Sequence, residues 1–144
     1  MERSLRLRRE AEVRRARGRG RAWADGPLVA RVLPNGILPL QNRYTVIAGK
    51  KVGKAHERNR AKRLVRESLR LLHPRLRPGF DIVVVVRGTL EELPTFAVAD
   101  AAITRITGRA GLLLAADGPD AAVKTSPHPP TPAPDARERG SDPA

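Results

Sequence analysis

The stretch from Glu57 to His73 leaves this chain few architectural options. Ala61, Leu64, Val65, Ser68, Leu69 and Leu72 recur at three- and four-residue spacings. At about 100° per residue they form one apolar stripe along a helix. Asn59, Lys62, Arg63, Arg66 and Arg70 fall together on the opposite side, with Arg58 at its border. Pro74 ends the helix, because it lacks an N–H donor and disfavours helical backbone in the residue before it. A helix so divided must lay its apolar stripe on something. The run Asp81 to Val86 (DIVVVV) follows as a separate apolar element. Its unbroken Ile/Val content reads as a strand covered on both faces.

Other elements are fainter. Leu28 to Leu33 (LVARVL) reads as a strand closed by the turn signal Pro34-Asn35-Gly36, and Arg43 to Ala48 (RYTVIA) as a second strand. Glu10 to Arg17 reads as a short helix stopped by Gly18 and Gly20. From Thr95 to Leu114 a weaker helical pattern runs through Phe96, Ala99, Ala102, Ile103, Ile106 and Ala110, with Gly108 and Gly111 weakening its last turns. Phe80 and Phe96 are expected in the core. From Asp117 to Ala144 the chain holds 7 of its 13 prolines and almost no large apolar residue. Such a segment cannot bury enough surface to offset its ordering entropy. Residues 1–116 are therefore expected to form one domain and residues 117–144 a disordered, Pro-rich tail.

Charge narrows the function. The 144 residues carry 28 Lys+Arg against 15 Asp+Glu, a formal net charge of +13. The tail is slightly acidic, so residues 1–116 carry +15. A field of this size draws in polyanions. Within the body of the basic helix only Glu67 offers an acidic partner, whereas ordinary exposed helices mix signs. Arginine presents a bidentate fork to phosphate and lysine a compact point charge. The segment before the helix, Gly49-Lys50-Lys51-Val52-Gly53-Lys54, adds lysines and glycines suited to close backbone approach. It is not a nucleotide-binding P-loop, because Ala55 follows Lys54 where that pattern needs Ser or Thr.

Several classes are disfavoured. There is no cysteine, which excludes disulfide staples and thiolate metal sites and suits a reducing compartment. No apolar run approaches the roughly 18 to 20 residues that span a bilayer. The acidic residues outside the tail, Asp25, Glu57, Glu67, Asp81, Glu91, Glu92 and Asp100 among them, are dispersed. His56 and His73 flank opposite ends of the basic helix and read as solvated helix-end residues, while His128 lies in the tail. No nucleophile–base or metal-ligand spacing appears, so no catalytic or metal-binding residue is expected in the protein itself. Four aromatics are too few for a base-stacking sheet of the RRM type. On composition alone, another RNA-binding protein such as a ribosomal protein or RNA chaperone remains the main alternative. DNA-binding and membrane-surface readings follow.

The block Lys50-Lys51-Val52-Gly53-Lys54-Ala55-His56-Glu57-Arg58-Asn59-Arg60-Ala61-Lys62-Arg63 resembles the signature K-K-x-G-x-A-x-x-R-N-R-x-x-R of the bacterial ribonuclease P protein family. Eight positions agree: Lys50, Lys51, Gly53, Ala55, Arg58, Asn59, Arg60 and Arg63, with Lys62 as a further cation and Arg66 continuing the basic helix. A looser resemblance covers Leu5 to Leu114. It implies an α+β fold, a compact α/β sandwich in the order α-β-β-β-α-β-α with a left-handed β-α-β crossover. It also implies a cytoplasmic subunit of a ribonucleoprotein endoribonuclease that trims the 5′ leader from precursor tRNA. The implied partners are the catalytic RNA and precursor tRNA, with no obligate protein partner. Catalysis would lie in that RNA with its Mg²⁺. The implied RNA-binding residues are Lys50, Lys51, Lys54, Arg58, Asn59, Arg60, Lys62, Arg63, Arg66 and Arg70. The implied leader cleft lies between the first helix and the sheet. Its usual aromatics correspond to Val13 and Arg17, before Gly18, and to Arg31 on the first strand. Here charge and guanidinium stacking would replace aromatic stacking.

Overall fold

In the computed structural model, residues 5–114 are described. The tail from Asp117 onward lies outside them. The elements run α1 (Glu10–Arg19), β1 (Arg21–Asp25), β2 (Leu28–Pro34), β3 (Arg43–Ala48), α2 (Ala55–Leu72), β4 (Phe80–Val86) and α3 (Phe96–Arg109). This is the order that the resemblance implied.

The four strands form one sheet in the order β1-β2-β4-β3. β1 pairs with β2 and β2 with β4 antiparallel, while β3 and β4 are parallel neighbours. A parallel pair cannot be closed by a hairpin, so the chain crosses over through α2. Strand β4 is central. Ile82, Val83, Val84 and Val86 are all buried, as a run covered on both faces requires.

Alternation divides the sheet. Leu28, Ala30, Val32, Tyr44, Val46, Ile82, Val84 and Val86 join Ala61, Val65, Leu69 and Leu72 of α2 and Ala99, Ala102, Ile103 and Ile106 of α3 in the main core. On the other face Val83 packs with Leu7 and Ala16, with half-buried Val13, Leu33, Ile47 and Val85 around them. Helices α2 and α3 thus cover one face of the sheet and α1 the other.

Several elements differ from expectation. Strand β1 did not stand out in the sequence, because Arg21-Ala22-Trp23-Ala24-Asp25 has only one strong β-former. It forms because Gly26 takes φ 55° and turns the chain so that Asp25 pairs with Leu28. Arg31 therefore lies on the second strand rather than the first. Helix α1 runs through Gly18 to Arg19, and Gly20 stops it. A Cβ on Gly20 would collide with the Ala16 carbonyl and lie 3.1 Å from the Val32 nitrogen, so this glycine lets α1 press onto β2. Helix α3 ends at Arg109, where Gly111 (φ 76°) turns the chain and Leu113 bridges to Leu76. Trp23 and Tyr44 are the buried aromatics; Phe80 and Phe96 are only half-buried. Neighbouring strands and helices cover Trp23 and Tyr44, whereas Phe80 and Phe96 start their elements at the margin of the core.

Two polar ties matter for the site. Arg43 forms a fork with Asp81 (Nε to Oδ1 and Nη2 to Oδ2, each 2.9 Å), and its Nη1 donates to Glu12 of α1 at 3.1 Å. Ser68 of α2 donates to Asp100 of α3 at 2.7 Å.

Candidate nucleic-acid interface

Helix α2 is anchored along its whole length. Ala61, Val65, Ser68, Leu69 and Leu72 are buried, and Leu64 packs partly against the same cluster. The stripe read from the sequence is the face that packs on the sheet and α3. At its start Gly53 adopts φ 142°, and a Cβ there would meet the Glu57 carboxylate. Glu57 accepts the Lys54 N–H at 2.8 Å and so satisfies a donor at the helix N-terminus. Gly53 and Glu57 thus build the entry to the helix. At its end the buried Tyr44 hydroxyl lies 2.7 Å from His73 Nδ1. Burial pushes the Tyr44 hydroxyl up to about 12. His73 is therefore a half-buried partner of the core rather than a solvated helix-end residue, while His56 is exposed.

The opposite face of α2 is cationic and open. Asn59 and Arg63 are exposed, and together with half-buried Arg66 and with Glu67 they line a shallow groove. Lys62 is half-buried at its flank. Burial lowers the Arg66 guanidinium from its ordinary value, and the charge of Arg6 acts in the same direction. Lys50 and Lys51 sit exposed on a 3-10 turn pinned by buried Val52, and Lys54 is exposed at the helix entry.

Three of the ten expected contact residues are drawn elsewhere. Arg58 donates to the Gly53 carbonyl at 3.4 Å. Arg60 projects toward the other flank and donates to the Pro94 carbonyl at 3.3 Å. Arg70 is exposed but engages Glu67 at 2.5 Å, and that bond raises the arginine and lowers the glutamate from their ordinary values. The open row therefore centres on Asn59, Arg63 and Arg66. Sequence reasoning missed Arg6. The Leu7 N–H donates to the Tyr44 carbonyl at 2.7 Å and Arg6 bridges to Tyr44, so the N-terminal segment lies along the free edge of β3 beside Arg66. The alternation Leu5-Arg6-Leu7 was the available signal.

The three candidate cleft residues share the α1 side of the sheet. Val13 is half-buried in the second apolar cluster. Arg17, one turn later on α1, is exposed. Arg31 is half-buried, and its Nη1 donates to the Gly20 carbonyl at 3.3 Å. Val29, Arg31, Ile47 and Val85 are half-buried on the same side and leave part of the sheet open beside α1. The glycine that packing requires is Gly20, not Gly18.

Several acidic side chains are committed to structure. Asp81 faces Arg43, Asp25 faces Arg105 at 2.8 Å, Asp100 accepts from Ser68, and Glu92 accepts the Thr89 N–H at 2.9 Å. The Arg105 hydrogen bond holds the Asp25 carboxyl below its usual value. Among the described residues no group of three or more His, Asp or Glu is placed to hold a metal ion. No described helix is long and apolar enough to cross a membrane.

The family model for ribonuclease P matches residues 1–111. The ribonuclease P protein component of Roseiflexus sp. strain RS-1 is 37% identical over 117 residues, covering 81% of this chain and 94% of that protein. Its counterpart in Symbiobacterium thermophilum is 37% identical over 113 residues, covering 78% of this chain and 96% of that protein. Among solved structures, the ribonuclease P protein of Thermotoga maritima superposes with a TM-score of 0.65 at 30% identity, covering 72% of this chain and 98% of the other. The Staphylococcus aureus protein gives 0.66 at 22% identity over 76% of this chain and 97% of the other, a likeness of fold. With the basic helix, the strand order and these matches all in agreement, the chain belongs to the ribonuclease P protein family.

Proposed function

We propose that this chain binds the catalytic RNA of ribonuclease P through the open face of α2 and the lysines of the preceding loop. In the same reading, the groove between α1 and the sheet receives the 5′ leader of precursor tRNA. The chain then assists endonucleolytic removal of that leader in the cytoplasm. The observation that carries the reading is the row Asn59, Arg63 and Arg66, open on one side of a helix whose other side is core. Cations fixed on a packed helix neutralise phosphates without reordering the backbone, which limits the entropy lost on binding, and Asn59 adds a neutral donor among them. Glu12 and Arg43 brace α1 against the sheet and so keep the groove's wall in place. Bond cleavage belongs to the RNA and its Mg²⁺; in the protein Asp81 and Asp25 are held by arginines, Asp100 by a hydroxyl and Glu92 by a backbone N–H.

Reconstitution tests this. The chain mixed with bacterial ribonuclease P RNA should raise cleavage of precursor tRNA at the mature 5′ end, and the protein alone should not cleave there. Specific cleavage by RNA-free protein would overturn the assignment. Replacing Arg63 and Arg66 by Gln should weaken RNA binding and reduce the log–log salt slope by roughly 0.7 to 0.9 per lost contact.

A further inference from the structure

We propose that the outer face of α1, turned away from the sheet, is a second RNA-binding surface that seats one phosphodiester strand along the helix. The inference rests on the reading above, that the protein binds RNA, but concerns a different surface. Helix α1 turns Val13 and Ala16 toward the sheet. Ala11, Arg14, Arg15, Gly18 and Arg19 line a shallow groove on its solvent side, and all five are exposed. Ala11 and Gly18 form the floor, with Arg14 along one side and Arg15 and Arg19 along the other. Among the described residues none of these three arginines has an ion-pair or hydrogen-bond partner, and Glu12 is taken by Arg43. Arg15 and Arg19 are one turn apart, about 6 Å along the axis.

Gly18 is the second observation. It has ordinary helical backbone, where glycine is destabilising relative to alanine. A Cβ added there would meet nothing within 4 Å. Neither packing nor a positive φ requires the residue, in contrast to Gly20. A missing side chain between arginines, with open space above it, suits close approach by a sugar–phosphate backbone. Because α1 and α2 lie on opposite faces of the sheet, the two surfaces can hold separate RNA segments at once.

The test uses the full chain with two probes, ribonuclease P RNA and precursor tRNA, over a salt series. A variant with Arg14, Arg15 and Arg19 replaced by Gln should reduce the log–log salt slope by roughly 2 to 3 for one probe, which identifies the source of the strand. Gly18→Leu leaves charge unchanged, places its Cβ where no protein atom lies within 4 Å, and favours the helix. It should nevertheless weaken binding of that same probe several-fold, with undiminished thermal stability. An unchanged slope in the triple variant would overturn the inference. So would a reduced slope with Gly18→Leu binding normally, since charge would then act at a distance with no strand seated on the floor. Neither result touches the α2 assignment, which Arg63→Gln with Arg66→Gln tests separately.

Discussion

Helices α1 and α2 are both cationic, yet the sheet holds them by different means. Helix α2 buries five residues over 18, and its charged row faces away from all of them. Helix α1 has 10 residues and buries only Ala16 fully. Its seat is completed by half-buried Val13, the close approach at Gly20, and the chain of contacts from Glu12 through Arg43 to Asp81. On α2, apolar area supplies stability and charge supplies recognition, on different side chains. On α1 the two are entangled, because an ion-paired arginine at the sheet helps hold the helix.

The largest effect should come from the apolar seat of α2. Leu69→Ala is expected to destabilise the fold by about 2–5 kcal/mol, measured by urea unfolding. A loss below about 1 kcal/mol would mean that α2 is held chiefly by something other than its stripe. Next comes the polar seat of α1. The Arg43 and Asp81 side chains are 19% and 7% exposed. Asp81→Ala should destabilise by roughly 2–3 kcal/mol, less than a fully buried pair because Arg43 keeps some solvent and Glu12. Amide exchange in α1 should rise more than in α2; equal changes would erase the contrast.

A third test addresses the end of α2. The folded Tyr44 hydroxyl titrates near 12, above the ordinary value of about 10 for an unfolded chain. The folded state thus favours the neutral phenol. Its contribution is complete below pH 10 and is lost as pH rises through 12. Tyr44→Phe should remove that part of the alkaline loss of stability. The smallest effect belongs to the groove. Arg31→Ala should reduce affinity for precursor tRNA more than for mature tRNA, and Arg31→Tyr should retain the discrimination with weaker salt dependence. Equal effects of Arg31→Ala on both RNAs would take the residue out of leader recognition.

What could be read in the sequence follows the same division. Helix α2 was legible because its stripe, its charge row and Pro74 agree over many residues, and β4 because it is apolar on both faces. Strand β1 was obscured by its arginine and alanines; only Gly26, the first of the two loop residues before Leu28, marked a hairpin. The open row on α2 was legible, but the diversion of Arg60 to Pro94 and of Arg70 to Glu67 depends on rotamers and neighbours that helical spacing does not specify. His73 was misread because its partner Tyr44 lies far away in sequence and meets it only after β3 packs under α2. The N-terminal segment's position beside Arg66 likewise depends on a sheet edge that no local pattern names.

The parallel pairing of β3 with β4 bears on how the chain folds. The central strand finds both β2 and β3 only after the whole α2 segment has been traversed. The β1–β2 hairpin is the sheet's local pairing. Closing such a long connection loses chain entropy before contacts repay it. Here the connection is also rich in like charges, which repel and expand it while it is unfolded. The residues suited to grip RNA therefore slow the collapse that positions them, and folding should accelerate as added salt screens that repulsion.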